Sequence, residues 1–275
     1  MTQASVIIPT YNRKETLERA IKSILAQKGV SLELIVIDDG STDGTPEWIQ
    51  NHFPQVRLLQ QKNQGPSAAR NAGIQIAKSD WLTFLDSDDE WLPKKLKTQL
   101  EFHQNHPDIL ISQTEEIWIR NGKRVNPMKK HQKYGGWIFN ECLPLCIISP
   151  SAVMIHRKVF NHAGLFDETY PACEDYELWL RITSQYEVGL INQALIRKYG
   201  GHSDQLSHHF EAMDQFRIQA LVKILKNNSL TAAQKNAAKN ELKIKSDIYF
   251  SGALKRGKQS ETIPLKQQAD ALLLA

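Results

Sequence analysis

The sequence predicts an α/β fold: a Rossmann-like, mainly parallel sheet flanked by helices, with a C-terminal helical extension. Two observations predict it. Short apolar or β-branched runs alternate with helical patterns as far as about residue 105, and such alternation is typical of right-handed βαβ crossovers and a parallel sheet. From about residue 204 to the end, the chain carries helical patterns alone.

Four strands are predicted in the first part of the chain. Each is a compact run that ends at turn-forming residues, and the runs are residues 5–9, 34–37, 56–59 and 81–85. Helical patterns follow the first three strands. The clearest is an apolar stripe on one helical face, formed by Leu17, Ala20, Ile21, Ile24 and Leu25.

The later elements are fewer and farther apart. Residues 109–119 and 151–155 are predicted as strands and residues 176–183 as a short helix. In the tail, Thr231 is a candidate N-cap for a second long helix, because a threonine hydroxyl can accept from the first free backbone N–H groups of a helix.

Composition places the chain among ordinary globular proteins. Hydrophobic residues make up 41% and charged residues 23% of 275, and no apolar run approaches the roughly 20 residues of a membrane helix. The first residues lack the layout of a signal peptide. Cys142, Cys146 and Cys173 show no zinc-type spacing. Free thiols in a reducing cytoplasm are therefore expected.

The net charge of +4 is unevenly placed. Residues 211–275 carry 11 Lys and Arg against 6 Asp and Glu, and residues 120–133 carry six Lys or Arg and no acid. Either stretch is a solvated surface or meets an anionic partner such as a phospholipid. The aromatic interleaving of nucleic-acid binders is absent, so no nucleic-acid partner is expected.

An acidic cluster follows the fourth predicted strand. Asp86, Asp88 and Asp89 occupy three of four consecutive positions, where like charges repel unless a cation or strong donors lie among them. Hard carboxylate oxygens are suited to Mg²⁺ or Mn²⁺, which are usually held by one or two carboxylates together with substrate phosphates. The alternative is an acidic turn that caps the helix beginning near Pro93.

Three further groups of polar residues follow the other strands, and one sheet edge would gather all four groups. They are Pro9, Tyr11 and Asn12, then Asp38 and Asp39, then Gly65 and Arg70. The N-terminus of a helix favours phosphate binding, and a guanidinium in the following turn would strengthen it. Each group also has a structural interpretation: Asp38 and Asp39 as turn residues, Arg70 as a surface charge and Tyr11 as packing.

Together these segments resemble family 2 glycosyltransferases, inverting enzymes with a GT-A fold. The resemblance runs in the family's order over roughly residues 4 to 205. The matching segments are VIIPTYNR (6–13), VIDDGSTDG (36–44), GPSAARNAG (65–73), FLDSDD (84–89) and CEDYELWLR (173–181).

The resemblance implies a nucleotide-sugar donor, usually UDP-linked, that lies over the strand ends with Mn²⁺ or Mg²⁺. Asp86, Ser87 and Asp88 become the DxD motif, with Asp88 as the direct metal ligand and Asp86 nearer the ribose and the metal. Asp39 is expected to contact the uracil.

Pro9 and Tyr11 then shape the base pocket, and Asn12 and Gly65 lie beside the donor. Residues 199–207 match the place of a loop that closes over the donor in many relatives, where His202 either reaches the metal or diphosphate or faces solvent. Arg70 is expected to meet the charge of the leaving diphosphate together with the metal.

The pair Glu174 and Asp175 bears on the mechanism. Inversion needs a base that takes the acceptor hydroxyl proton, and a carboxylate suits this role. The resemblance makes Asp175 the base and Glu174 a supporting contact. Acidic residues at this point also stabilise a helix N-terminus, and this second interpretation is compatible with the first.

The predicted organisation has a catalytic domain at 1–210, with a donor half at about 1–105 and an acceptor half at about 106–210, and an extension at 211–275. The acceptor is expected to be a saccharide or lipid-linked molecule in cell-surface polysaccharide synthesis. The extension either contacts the inner face of the cytoplasmic membrane, packs on the catalytic domain or forms a homodimer contact.

Two other functions remain open at this point. One is a nucleotide-sugar-binding module without activity, against which the intact Asp86, Asp88 and Asp175 argue. The other is a phosphohydrolase with an Asp-based nucleophile. Such enzymes usually have Thr or Val two places after the second Asp, whereas Asp89 and Glu90 follow here.

Overall fold

A mixed sheet runs through the part of the protein that the computed structural model describes, which is residues 2–201, 210, 212–227 and 229–274. Its strands are β1 (Ala4–Thr10), β2 (Leu32–Asp38), β3 (Arg57–Gln60), β4 (Trp81–Phe84), β5 (Glu90–Trp91), β6 (Ile111–Arg120), β7 (Lys123–Val125), β8 (Met154–His156) and β9 (Val188–Gly200). The order across the sheet is β3-β2-β1-β4-β8-β6-β9-β5, and β7 lies beside β6.

Helices cover the sheet and form the C-terminal part. They are α1 (Lys14–Leu25), α2 (Thr45–His52), α3 (Pro66–Ile76), α4 (Lys95–Asn105), α5 (Phe139–Cys142), α6 (Lys158–Ala163), α7 (Glu174–Thr183), α8 (Asp214–Leu225), α9 (Ala232–Lys255) and α10 (Gln259–Leu274). Short 3₁₀ turns occur at Lys129–His131 and Pro150–Ala152.

The first half of the chain has the predicted parallel arrangement. Strand β1 lies between β2 and β4, β2 pairs with β3, and all three pairings are parallel. Every residue of β1 is buried, as expected for a strand covered on both faces. Helix α3 packs closely on this strand, because a Cβ on Gly73 would clash with the side chain of Ile7.

The second half pairs its strands differently. Strand β8 is antiparallel to both β4 and β6, and β6 is parallel to β9 with irregularities near Glu115. Strand β9, with 13 residues, was not predicted, because exposed Asn192 and Gln193 interrupt its apolar pattern. Its end nevertheless reaches the same sheet edge as the ends of β1 and β4.

The C-terminal extension is helical, as predicted, and Thr231 caps α9 through a capping box with Gln234. The apolar residues of α8, among them Ile218, Leu221 and Leu225, are buried in the same core as those of α7. This stripe is therefore packed against the α/β core and is not an exposed face. Among the described residues, no helix combines the length and the apolar character that crossing a membrane requires.

Candidate active site

A cleft of about 690 Å³ opens where β1, β2, β4 and β9 end. It brings together most of the predicted site residues, namely Pro9, Tyr11, Asn12, Asp39, Gly65, Arg70, Asp86, Ser87, Asp88, Glu174 and Asp175. Asp38 is not among the described residues that line it. His202 lies outside the described residues.

The turn after β1 is tied to the turn after β2 through Asn12. Its side-chain oxygen accepts from the backbone N–H of Thr42 at 2.8 Å, and its own N–H donates to the hydroxyl of Ser41 at 2.9 Å. Asn12 adopts a left-handed φ of 51°, which asparagine tolerates better than most residues. This turn leaves Tyr11 exposed on the cleft wall.

The neighbours Asp38 and Asp39 have different surroundings. Asp39 accepts from the backbone N–H groups of Gln64 and Gly65 at 3.0 and 2.8 Å and from the side chain of Gln61 at 2.7 Å. Because a carboxylate has about four acceptor sites, these three contacts with described residues leave about one site for a ligand. Asp38 is buried and accepts from the N–H of Ser41 at 3.1 Å, as a turn residue would.

Arg70 joins two acidic groups that are far apart in sequence. Its guanidinium is buried and donates to Asp86 at 2.9 Å and to Glu174 at 2.8 Å. Burial by itself lowers the pKa of Arg70, but the two carboxylates outweigh burial and the pKa is raised. The surface-charge alternative is therefore wrong. In this structure the guanidinium fork binds carboxylates.

The acidic cluster after β4 contributes all three carboxylates to the cleft lining, but they differ in exposure. Asp86 and Asp88 line the cleft with side chains 28% and 20% exposed, whereas Asp89 is only 1% exposed. The carboxylate of Asp89 accepts from the Ser151 hydroxyl at 2.7 Å and from the N–H of Tyr199 at 3.0 Å. Burial, and then the charge of Asp88, raise the pKa of Asp89.

The donor set at the cleft fits a divalent metal that a diphosphate helps to hold. Asp88 presents a carboxylate 4.0 Å from the guanidinium of Arg13, while one oxygen of Asp86 is engaged by Arg70. Within the described ranges, no group of three or more Asp, Glu, His or Cys could hold a metal by itself. Mg²⁺ and Mn²⁺ sites commonly need only one or two carboxylates when phosphates complete them.

The second acidic group begins α7 and is divided in a similar way. Glu174 is 6% exposed and bound to Arg70. Burial, followed by the charge of Asp175, raises the pKa of Glu174, and Arg70 opposes this rise. Asp175 is half-buried, lines the cleft and accepts from the N–H of Tyr176 at 2.7 Å. Asp175 is thus the more exposed carboxylate of the pair.

Sequence reasoning missed Lys198 and Tyr199, which line the cleft at the end of β9. The Lys198 ammonium donates to the Ser149 hydroxyl at 3.2 Å. Burial lowers the pKa of Lys198, but nearby carboxylates, led by Glu116 and Asp89, outweigh it and raise the pKa. The run Leu195 to Tyr199, ending just before two glycines, was the available signal for a strand reaching this edge.

Comparisons with known sequences support the resemblance. Residues 5–164 match the profile of the family described as glycosyl transferase family 2. An uncharacterized glycosyltransferase of Rickettsia felis is 35% identical over 73% of this chain and 34% of its own length. The chain thus spans about a third of this relative.

Two Escherichia coli relatives match over more of their length. WfaP is 32% identical over 67% of this chain and 72% of its own length. WfgD is 31% identical over 70% of this chain and 74% of its own length. Both are named as UDP-Glc:alpha-D-GlcNAc-diphosphoundecaprenol beta-1,3-glucosyltransferases.

Solved structures show the same fold. S. aureus TarS 1-349 in complex with UDP-GlcNAc has a TM-score of 0.76 at 19% identity, and the match covers 98% of this chain and 79% of that one. A second match is the mannosyltransferase PcManGT from Pyrobaculum calidifontis in complex with GDP-Man and Mn²⁺. Its TM-score is 0.62 at 16% identity, and the match covers 98% of this chain and 85% of that one. The predicted GT-A fold is confirmed.

Proposed function

The chain belongs to glycosyltransferase family 2, and from this premise we propose that it transfers a sugar from a UDP-sugar to a hydroxyl of a lipid-linked saccharide, with inversion. The observation that carries the proposal is the cleft itself, which is lined by both the donor motifs and Asp175. The names of the two E. coli relatives support a UDP-linked donor and a lipid-linked acceptor.

The nucleoside is proposed to bind between the turns after β1 and β2. Pro9 and Tyr11 offer apolar and aromatic surface for the base, and the remaining acceptor site of Asp39 suits a base N–H. Since Asp39 also holds the backbone of Gln64 and Gly65, it couples base recognition to the start of α3.

The diphosphate is proposed to lie beside Asp88, with Asp88 and the phosphates holding Mn²⁺ or Mg²⁺. A metal bound there would supply positive charge to stabilise the departing diphosphate. Arg70 keeps one oxygen of Asp86 fixed, which orients that carboxylate toward the ribose side. The charge of Lys198 acts on Asp86 and Asp89 and so limits the repulsion within the acidic cluster.

Chemistry is proposed to begin when Asp175 accepts the proton of the acceptor hydroxyl. The acceptor oxygen forms a bond to the anomeric carbon as the bond from that carbon to the diphosphate oxygen breaks, and UDP leaves. Glu174 is engaged by Arg70, so its part is to hold the start of α7. Attack from the face opposite UDP inverts the anomeric centre.

A donor panel followed by a transfer assay tests this function. With Mn²⁺ present, UDP-glucose or UDP-GlcNAc should raise the thermal midpoint more than GDP-mannose, because a ligand that binds only the native state stabilises it. The purified protein should then convert a GlcNAc-diphospholipid into a β-linked disaccharide. NMR of the new anomeric proton establishes the inversion.

The same assays separate the two other functions. Donor binding without transfer to any lipid-linked saccharide would indicate a binding module that lacks activity. Release of phosphate from simple phosphomonoesters, without sugar transfer, would indicate a phosphohydrolase. Against the latter, one oxygen of Asp86 is already engaged by Arg70, which lowers its nucleophilicity.

The organisation of the chain follows from the same proposal. We place the catalytic domain at 1–210, in the cytoplasm, with the extension at 211–275 packed against it through α8. On α9, Ile244 and Ile248 lie one turn apart and are exposed. This surface is the candidate for a homodimer contact.

A further inference from the structure

Five exposed basic residues lie on the hairpin of β6 and β7 and on the segment that follows it. They are Arg120, Lys123, Arg124, Lys129 and Lys130, and we call them the basic hairpin surface. Residues 117–134 contain no Asp or Glu, and none of the five forms an ion pair with a described residue. Lys133 is not part of this surface, because it is buried against Glu116 at 2.9 Å.

An exposed apolar side chain lies within this surface. Met128 is 61% exposed and directly precedes the 3₁₀ turn that carries Lys129 and Lys130. Exposed single apolar residues are common. An exposed apolar residue close in sequence to five cations that have no ion-pair partner in the described part of the chain is typical of surfaces that contact the headgroup region of a bilayer, where apolar insertion and charge attraction act together.

The basic hairpin surface lies beside the cleft. Strands β6 and β9 are parallel, and Trp118 and Ile119 are paired with Lys198 and Tyr199, both of which line the cleft. Arg120 is two residues beyond Trp118, which corresponds to about 7 Å along a strand. Anything bound by this surface is therefore next to the acceptor side of the cleft.

We propose that the basic hairpin surface docks the protein on an anionic phospholipid bilayer and so presents the cleft to a lipid-linked acceptor. The inference rests on the proposed function for its role, since a lipid-linked substrate is restricted to the membrane surface. It differs from attachment through the tail, because the apolar stripe of α8 is buried in the core.

Co-sedimentation with vesicles tests the docking. The wild-type protein should bind vesicles of phosphatidylglycerol and phosphatidylcholine at low salt, release at high salt and ignore vesicles of phosphatidylcholine alone. The triple variant Lys123→Gln, Arg124→Gln, Lys130→Gln should bind about 10²-fold more weakly, from the usual contribution of each basic residue near an anionic surface.

Matched controls separate local docking from overall charge. The variant Lys28→Gln, Lys243→Gln, Lys255→Gln removes the same charge from exposed positions elsewhere and should keep most of the binding. Met128→Ser should weaken binding more than Leu254→Ser, whose parent side chain is similarly exposed at 59%. Equal losses in the test and control triples, or a wild type that does not bind anionic vesicles at low salt, would overturn the inference.

A transfer assay without vesicles keeps this inference distinct from the proposed function. On a short-chain, water-soluble acceptor the hairpin triple variant should retain wild-type activity, because none of its three residues lines the cleft. If the wild type transfers sugar but does not bind vesicles, the docking inference is wrong and the proposed function stands. If the wild type binds vesicles but does not transfer sugar, the docking inference is supported and the proposed function is wrong. Equal binding of soluble heparin and of anionic vesicles would instead assign the surface to a soluble polyanion.

Discussion

The two acidic groups that meet in the cleft bury one carboxylate each, by different means. After β4, the buried member is Asp89, which accepts from two uncharged donors, the hydroxyl of Ser151 and the N–H of Tyr199. At the start of α7, the buried member is Glu174, which is paired with the cation Arg70. In both groups a neighbouring carboxylate is left facing the cleft.

The difference shows how a protein can hold several acids at one place. Burial raises the pKa of both Asp89 and Glu174, since it penalises the charged form of a carboxyl group. The Arg70 guanidinium opposes the rise for Glu174 through a direct hydrogen bond, and the charge of Lys198 opposes it for Asp89. The comparison therefore predicts that Asp89 and Glu174 contribute mainly to structure, and that Asp88 and Asp175 contribute to binding and chemistry.

The largest effect is expected for Asp175→Asn. The amide keeps the shape of the side chain but cannot take a proton, so sugar transfer should fall by about 10²–10⁴-fold, the usual contribution of a general base. Donor affinity, measured by calorimetry with UDP and Mn²⁺, should be unchanged. If the variant retained transfer, the base would be another group, and the assignment of Asp175 to chemistry and Glu174 to structure would be wrong.

Arg70→Met should have the next largest effect, which is a loss in the free energy of unfolding. It leaves Asp86 and Glu174 without their cation, and removing one partner of a buried ion pair costs about 3–5 kcal/mol. Urea unfolding measures the loss. The control is Arg57→Met, which removes a half-exposed cation 4.0 Å from Glu33 and should cost no more than about 1 kcal/mol. Similar losses of stability in both variants would contradict the structural role of the Arg70 guanidinium.

Asp88→Asn should remove the metal-dependent part of UDP binding while the fold persists. Without a metal, the diphosphate and the acidic cluster repel each other, and a metal contributes several kcal/mol of charge stabilisation, so Mn²⁺ should strengthen wild-type binding by about 10²-fold or more. Calorimetry with and without Mn²⁺ measures this for both proteins. Equal wild-type affinity in the two conditions would exclude the metal role of Asp88.

The smallest effect is expected for Asp89→Asn, and it depends on pH. Because the pKa of Asp89 is raised in the folded protein, the folded state binds a proton that the unfolded state releases above about pH 3.9. Wild-type stability should therefore rise relative to the variant as pH falls from 7.5 toward 5. Urea unfolding at the two pH values gives the difference, and an opposite trend would mean that Asp89 is stabilised as a carboxylate.

The first half of the fold could be predicted because its signals are local. Each strand of the parallel part is one buried run, and the polar residues that follow it must gather at one edge. Strand β9 was missed because Asn192 and Gln193 interrupt its apolar pattern, and its pairing with β6 joins distant segments with irregularities near Glu115. Lys198 and Tyr199 were missed for that reason.

Within the site, sequence placed residues better than it assigned their partners. The resemblance singled out Asp39 for the base, and the structure shows that Asp39 lines the cleft while Asp38 supports a turn. Arg70 was expected to meet phosphate, but its carboxylate partners are Asp86 and Glu174, which lie 16 and 104 positions away. Such a choice depends on tertiary distances that no local pattern encodes.

The close approach of Gly73 to Ile7 has a consequence for engineering this enzyme. Any larger residue at position 73 would push α3 away from β1, and Arg70 lies one turn earlier on the same helix. The displacement would lengthen the contacts from Arg70 to both acidic groups. Libraries that seek a new donor sugar should therefore keep position 73 constant, and screens that vary it should recover mostly inactive clones even though Gly73 touches no substrate.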